Sequence, residues 1–321
     1  MKTSKLQLQK VRQTLGKALH ETPVLQSQAL NDLTGAQLFF KCENFQKTGS
    51  FKARGAFFSV QSLSAEAQKK GVATHSSGNH GQALAWAARQ MGVRAYIVMP
   101  EDAPKVKVAA VKAYGGEVHF CAPNLAAREE GLKQVQAKTG ATFIPPYDYE
   151  NTILGQSTCA QELLEQVFDL QAVFTPVGGG GLAAGTCLAA RYCSKGIAVY
   201  GAEPAGADDA YRSLKSGLHV AEHQPSTLAD GLRTTLGHLN YAILKERLAD
   251  IFLVNDQEML DAMQLIYQRL KIVIEPSCAV PLAALIKHKE QFAGKRVGII
   301  LSGGNVDLGA FFKHLEQKKG R

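Results

Sequence analysis

The sequence predicts an α/β protein with twisted, mostly parallel sheets flanked by helices. Two observations carry that prediction. Short apolar runs rich in β-branched and aromatic residues alternate with stretches of helical periodicity. Glycine-rich turns stand directly after several of the runs, where a parallel sheet presents its ligand-binding edge. In order, segments 37–40, 71–74, 95–99, 172–175, 198–200 and 297–301 read as buried strands, because each is short and apolar without alternation. Helical periodicity covers 81–91, 105–114, 125–139, 156–168, 181–193, 257–270 and 281–288. Strands alternating with helices of this length form βαβ units.

The chain has 321 residues, which at about 150 residues per domain corresponds to two domains. The expected division is a large domain of 1–70 and 149–321, with a small domain of 71–148 inserted into it and a cleft between them. The polar approach at 59–71 and Pro145-Pro146 mark the joins. Hydrophobic residues at 45% and charged residues at 20% exclude disordered, collagen-like and disulfide-scaffold chains. The six cysteines form no CxxC pair and show no zinc spacing, so they read as small core residues in a reducing compartment. Residues 1–15 lack an apolar signal region, and no run approaches the ~20 apolar residues of a membrane span. A cytoplasmic protein is therefore expected. The net charge of +8 comes from scattered Lys and Arg, which favours a small anionic ligand over nucleic acid.

Four stretches carry candidate chemistry. Gly178, Gly179, Gly180 and Gly181, followed by Leu182, lie between a strand and a helix, so successive backbone N–H groups and a helix dipole can cradle a phosphate. The pattern is neither GxGxxG nor a P-loop. Lys52, in Ser50-Phe51-Lys52-Ala53-Arg54-Gly55, sits by an aromatic residue near a helix start, where a depressed amine pKa favours Schiff-base chemistry. Ser76-Ser77-Gly78-Asn79-His80 gathers hydroxyls and an amide at a helix start, a composition suited to a carboxylate. Ser302-Gly303-Gly304-Asn305 follows the last strand.

Together and in this order, the four motifs resemble the fold-type-II family of pyridoxal-phosphate (PLP) enzymes, in the serine/threonine dehydratase and serine racemase branch. The resemblance runs from about residue 15 to 308. It implies the two-domain architecture of that family. It assigns Lys52 to the Schiff base, Phe51 to packing on the cofactor ring, Asn79 to the 3′-oxygen and Gly178 to Leu182 to the phosphate. Ser302 would face the pyridine nitrogen, with Glu275 a buried glutamate near the cofactor. Ser76, Ser77, Gly78, Asn79 and His80 would form the substrate-carboxylate loop, and Arg128 would face the substrate. Glu203, the Ala207 carbonyl and Asp209 resemble the racemase-branch site for a divalent cation, Mg²⁺, Mn²⁺ or Ca²⁺. A homodimer and a nucleotide effector are further implications of the family.

The activity expected from these residues is an L-serine/L-threonine dehydratase that gives a 2-oxo acid and ammonia, with a small hydroxy amino acid as substrate. Serine racemase or 3-hydroxyaspartate dehydratase is the alternative, and an amino-acid sensor is the non-enzymatic one. Ser77, as a catalytic hydroxyl opposite Lys52, favours the alternative enzymes, since threonine dehydratases of the family often carry alanine there. Pro145-Pro146-Tyr147-Asp148 lies nearer the dehydratase form His-Pro-Tyr/Phe-Asp, although its leading proline departs from it. Gly155-Gln156-Ser157-Thr158 replaces the usual Gly-Gln-Gly-Thr. No regulatory domain follows the matched region, so feedback inhibition by isoleucine is not expected.

Overall fold

A computed structural model describes residues 1, 3–76, 78–103, 105–194 and 196–316. Its strands are β1 (Val24–Leu25), β2 (Gln37–Cys42), β3 (Val72–His75), β4 (Ala95–Pro100), β5 (Glu117–Cys121), β6 (Thr142–Phe143), β7 (Ala172–Pro176), β8 (Ala198–Pro204), β9 (Asp250–Val254) and β10 (Arg296–Leu301). They form two sheets. One has the order β1-β2-β10-β7-β8-β9 and the other β5-β4-β3-β6. Every pairing is parallel except β1 with β2.

Alternating side chains of the larger sheet supply cores on both faces, as the two-residue period of a strand requires. Leu38 and Phe40 of β2, with Val297, Ile299 and Leu301 of β10, pack with the helices Asp256–Leu270 and Pro276–Lys287. Phe39 and Ile300 point the other way, toward Cys159 and Leu163 of the helix Glu150–Gln166. A further core cluster joins Val72, Ala95, Ile97 and Met99 of the smaller sheet to the helices Lys52–Gln61, Asn79–Gln90 and Gly181–Cys193. The cores of the two sheets are thus continuous through helices.

The predicted strands all form, with ends shifted by up to four residues. The pattern had left β1, β5, β6 and β9 unassigned. β5 carries Glu117 and His119 at the sheet edge and is half exposed, while β1 and β6 are two residues each. The helix expected from 156 begins at Glu150 instead. Its early turns contain Thr152, Ile153 and Gly155, weak helix formers on their own. Tertiary packing overrides that weakness, because a Cβ at Gly155 would stand 2.5 Å from the Arg54 carbonyl oxygen. The helix expected from Pro281 begins at Pro276, which takes the first-turn position where proline's missing N–H costs nothing. Four cysteines are buried as expected, Cys121 and Cys193 are partly exposed, and all six are free thiols.

Among the described residues no helix is long and apolar enough to cross a membrane.

Candidate active site

Lys52 opens the helix Lys52–Gln61, and Arg54 anchors that helix. The Arg54 guanidinium is fully buried and donates to Glu43 at 2.6 and 2.8 Å and to Glu162 at 2.8 Å through each of two nitrogens. Lys41 adds a 2.7 Å contact to Glu162, so two cations and two anions compensate one another inside the protein. Buried ions are tolerated when paired and hydrogen-bonded on this scale. The network ties β2 and the helix Glu150–Gln166 to the turn that carries Lys52. The sequence reading assigned none of these residues a role, although an arginine within an apolar helical stretch is a signal of a buried partner.

The Lys52 ammonium donates to the Pro146 carbonyl at 2.7 Å and lies 5.0 Å from the centre of the Phe51 ring. Burial lowers its pKa to about 8, against the opposing pull of Glu275. Phe51 packs in one cluster with Leu182, so the lysine turn and the end of the glycine loop share a wall. Glu275 is buried ahead of the helix Pro276–Lys287, and its pKa rises to about 7 through burial, reinforced by Asp230. Asn79 spans from the smaller sheet to it. The Nδ2 group donates to both Glu275 oxygens at 2.9 and 3.0 Å, while its Oδ1 accepts from Asn305 at 2.9 Å. Ser302 is buried at the end of β10, and its carbonyl accepts from the Phe51 N–H at 3.0 Å.

The glycine loop follows β7 and opens the helix Gly181–Cys193. A Cβ at Gly179 would stand 2.3 Å from the Tyr147 ring, and Gly180 has φ +87°, a conformation L side chains rarely adopt. Asn240 braces the loop by donating to the Gly179 carbonyl at 2.6 Å. Asp148 in turn accepts from the N–H groups of His238, Leu239 and Asn240 at the start of the helix His238–Arg247. Segment 145–148 therefore connects the lysine, through Pro146, to the glycine loop, through Asp148. Tyr147 and Asp148 belong to the segment compared above with the dehydratase form but were given no individual role, and Asn240 was not singled out.

The carboxylate loop follows β3. Ser76 accepts from the Gly78 N–H at 3.3 Å, Asn79 opens the helix Asn79–Gln90, and Ser77 lies outside the described residues. His80 is buried, and its Nε2 bonds the Ile144 carbonyl at 2.9 Å. Burial and the Lys52 charge push its pKa down to about 3, so this imidazole is neutral. Arg128, on the helix Leu125–Thr139, lies within electrostatic reach of His75, and its buried Nε has no partner.

Glu203 and Asp209 are both buried. Burial, reinforced by Asp209, raises the Glu203 pKa well above the usual range; burial also raises that of Asp209, against the N–H of Leu236 and His223. Glu203 accepts from the N–H groups of Ala210 and Tyr211, and Asp209 from that of Leu236. His223 Nε2 stands 3.2 Å from the other Asp209 oxygen. Among the described residues no three His, Cys, Asp or Glu side chains are gathered as a metal centre, so the expected cation site reduces to two buried carboxylates and the Ala207 carbonyl.

The expected PLP cofactor fits the first group of residues. A loop that admits no side chain at Gly179 offers backbone N–H groups at a helix start for the phosphate. A buried lysine with a lowered pKa stands 6.0 Å from the centre of the Tyr147 ring that packs on Gly179, and neither the nitrogen nor the oxygen of the buried Gln156 amide beside the loop has a partner among the described residues.

Comparison with known proteins agrees with this geometry. The family described as pyridoxal-phosphate dependent enzyme matches residues 16–303. A β-hydroxyaspartate dehydratase of Paracoccus denitrificans is 50% identical over 290 residues, covering 90% of this chain and 92% of that protein. An L-threo-3-hydroxyaspartate ammonia-lyase of Saccharomyces cerevisiae is 47% identical, covering 90% of this chain and 89% of its own. The crystal structure of serine racemase from Dictyostelium discoideum superposes with a TM-score of 0.91 at 48% identity, covering 95% of this chain and 99% of the other. The chain belongs to the pyridoxal-phosphate-dependent enzymes of fold type II, in the branch that contains the serine racemases and the hydroxy-amino-acid dehydratases.

Proposed function

We propose that the protein is a PLP-dependent ammonia-lyase whose preferred substrate is 3-hydroxyaspartate, rather than the L-serine/L-threonine dehydratase expected first from sequence. The observation that carries this reading is Arg128, whose buried Nε has no partner among the described residues and whose charge acts on His75, at the root of the carboxylate loop. A guanidinium there suits a second carboxylate, which 3-hydroxyaspartate has and serine and threonine lack. The two hydroxyaspartate-cleaving relatives support the same choice.

When bound, the cofactor supplies an electron sink for the charge left on Cα. Gly178 to Leu182 would hold its phosphate, Phe51 would pack against the ring, Ser302 would face the ring nitrogen and Asn79 the 3′-oxygen. Ser76, Gly78 and the first N–H groups of the helix Asn79–Gln90 bind the α-carboxylate. Lys52, with its pKa near 8, has a substantial neutral fraction at mildly alkaline pH and takes the Cα proton. The Pro146 carbonyl orients that amine. The Lys52 ammonium so formed would return a proton to the departing β-hydroxyl, which leaves as water; the enamine released tautomerises to the imine, whose hydrolysis gives oxaloacetate and ammonia with no external oxidant.

Residues 71–148 act as a small substrate-loop body against 1–70 and 149–321; the confinement of the four-stranded sheet to 72–143 supports this. The buried Glu203–Asp209 pair, with the Ala207 carbonyl, would take a divalent cation in a structural role; the burial of two neighbouring oxygen-ligand side chains supports it.

Steady-state rates of 2-oxo acid release on L-threo-3-hydroxyaspartate, L-serine and L-threonine test the substrate assignment. The expected order places hydroxyaspartate first. Arg128→Gln should lower its kcat/KM about 100-fold, since a lost charge-assisted contact costs about 2–3 kcal/mol. Serine turnover should change less than threefold. Equal loss on all three substrates sinks the assignment. Absence of a visible cofactor band that depends on Lys52, tested with Lys52→Ala, sinks the PLP reading itself. The Dictyostelium relative favours a second activity, serine racemisation. D-serine formed from L-serine by the wild type and lost in Ser77→Ala would support it.

A further inference from the structure

We infer that Gln156 is a ligand of the cofactor phosphate, completing the glycine cradle with a side-chain donor. The inference rests on the PLP reading and adds to it a residue outside the glycine loop. Gln156 lies on the helix Glu150–Gln166 and is fully buried. Both Nε2 and Oε1 lack a hydrogen-bond partner among the described residues. A buried amide left wholly unpaired is costly, so such groups normally have a protein, water or ligand partner.

The amide end of the side chain lies at the glycine loop. Its Oε1 lies 2.6 Å from where a Cβ on Gly181 would be, against the first residue of the helix Gly181–Cys193. On its other side the stem touches the lysine-bearing helix, with Cγ 3.1 Å from the Cβ position of Gly55. Its neighbours along the helix are already engaged: Ser157 bonds the Leu154 carbonyl and Thr158 bonds the Gly155 carbonyl and Arg54. Gln156 is thus wedged between the Lys52 helix and the anion-binding helix start. With Nε2 turned to the loop, it donates to a phosphate oxygen from a position the backbone N–H groups do not fill. Burial strengthens that contact by excluding water.

The test uses the full-length chain stripped of cofactor and titrated with PLP and, separately, with pyridoxal, which lacks the phosphate. For Gln156→Met, of similar volume, the dissociation constant for PLP should rise about tenfold or more. That for pyridoxal should move less than threefold. The stripped variant should melt at or above the wild-type temperature, because an unpaired buried amide has been removed. Inorganic phosphate should raise the melting temperature of the stripped wild type more than that of the variant. Gln156→Glu, which keeps the shape and adds negative charge, should weaken PLP beyond Gln156→Met and again spare pyridoxal. Equal losses for PLP and pyridoxal, an undiminished PLP affinity, or failure of both variants to fold would overturn the inference and make Gln156 a packing residue. A wild type that binds neither ligand refutes the cofactor reading, and this inference with it.

Discussion

Lys52 and Glu275 occupy one buried space with opposite displacements: burial pushes the amine down to about 8 and the carboxyl up to about 7. Each group is moved toward its neutral form, which is the state a nucleophile and a proton-holding neighbour require. The Glu275 shift has a consequence for stability. Its folded pKa lies above the ordinary 4.5, so between pH 4.5 and 7 the native state holds a proton that the unfolded state has lost. Stability therefore falls as pH rises through that window, by about 3 kcal/mol from this group. Lys52 does not titrate there. Urea unfolding of cofactor-free Glu275→Gln at a series of pH values should show that fall diminished relative to wild type. Parallel profiles for the two proteins would show that Glu275 is ionised throughout. At this scale the sequence identified Lys52, Asn79, Glu275 and Ser302 by motif. It marked Gln156 only as part of the Gly-Gln-Ser-Thr segment, without a role, and did not mark Asn240, because their relevance arises from what they touch.

The glycine loop shows the same division within an element. Four consecutive glycines between a strand and a helix announce an anion cradle, yet each is glycine for a separate reason. Gly179 is pressed against the Tyr147 ring, whereas Gly180 needs a positive φ. Their substitutions should therefore respond differently to a second change. Gly179→Ala should weaken PLP binding at least tenfold, and Tyr147→Ala should restore most of that loss by opening space. Gly180→Ala should weaken binding in both backgrounds, because its positive φ costs about 1 kcal/mol or more and its Cβ would meet Leu236 and Asn240, not Tyr147. Equilibrium titration of the four proteins with PLP distinguishes the cases, and a rescue of Gly180→Ala by Tyr147→Ala would contradict the assignment. The helix Glu150–Gln166 is the complementary lesson. Its first turns are weak helix formers that become helical because Gly55 and Gly155 bring two helices into contact.

Across the whole molecule, the contacts that join the smaller sheet's side to the larger one at the site include, besides Asn305 with Asn79 and Lys52 with Pro146, two side-chain pairs. Asn79 meets Glu275, and Lys107 meets Asp230 at 2.7 Å. The second pair is partly exposed and contributes little. The first has its acceptor, Glu275, buried and shielded from water, so it is the stronger clasp. Asn79→Ala should speed amide hydrogen exchange in β3 to β6 by about tenfold while leaving β7, β8 and β10 unchanged. Exchange that rises equally in both sheets would show that 71–148 does not respond as a body of its own.

The sequence by itself determined the α/β class, the order of the strand runs, the cofactor family and the glycine and lysine motifs. Each of these is local, written in hydrophobic period or in a few adjacent residues. Tertiary structure alone decided what lies beside Lys52. Pro146, Glu275 and the Arg54 network reach it from 43, 146, 162 and 275, positions far apart in the chain. Burial, which sets the charge of every group in the site, is a property of that assembled neighbourhood and of no segment within it.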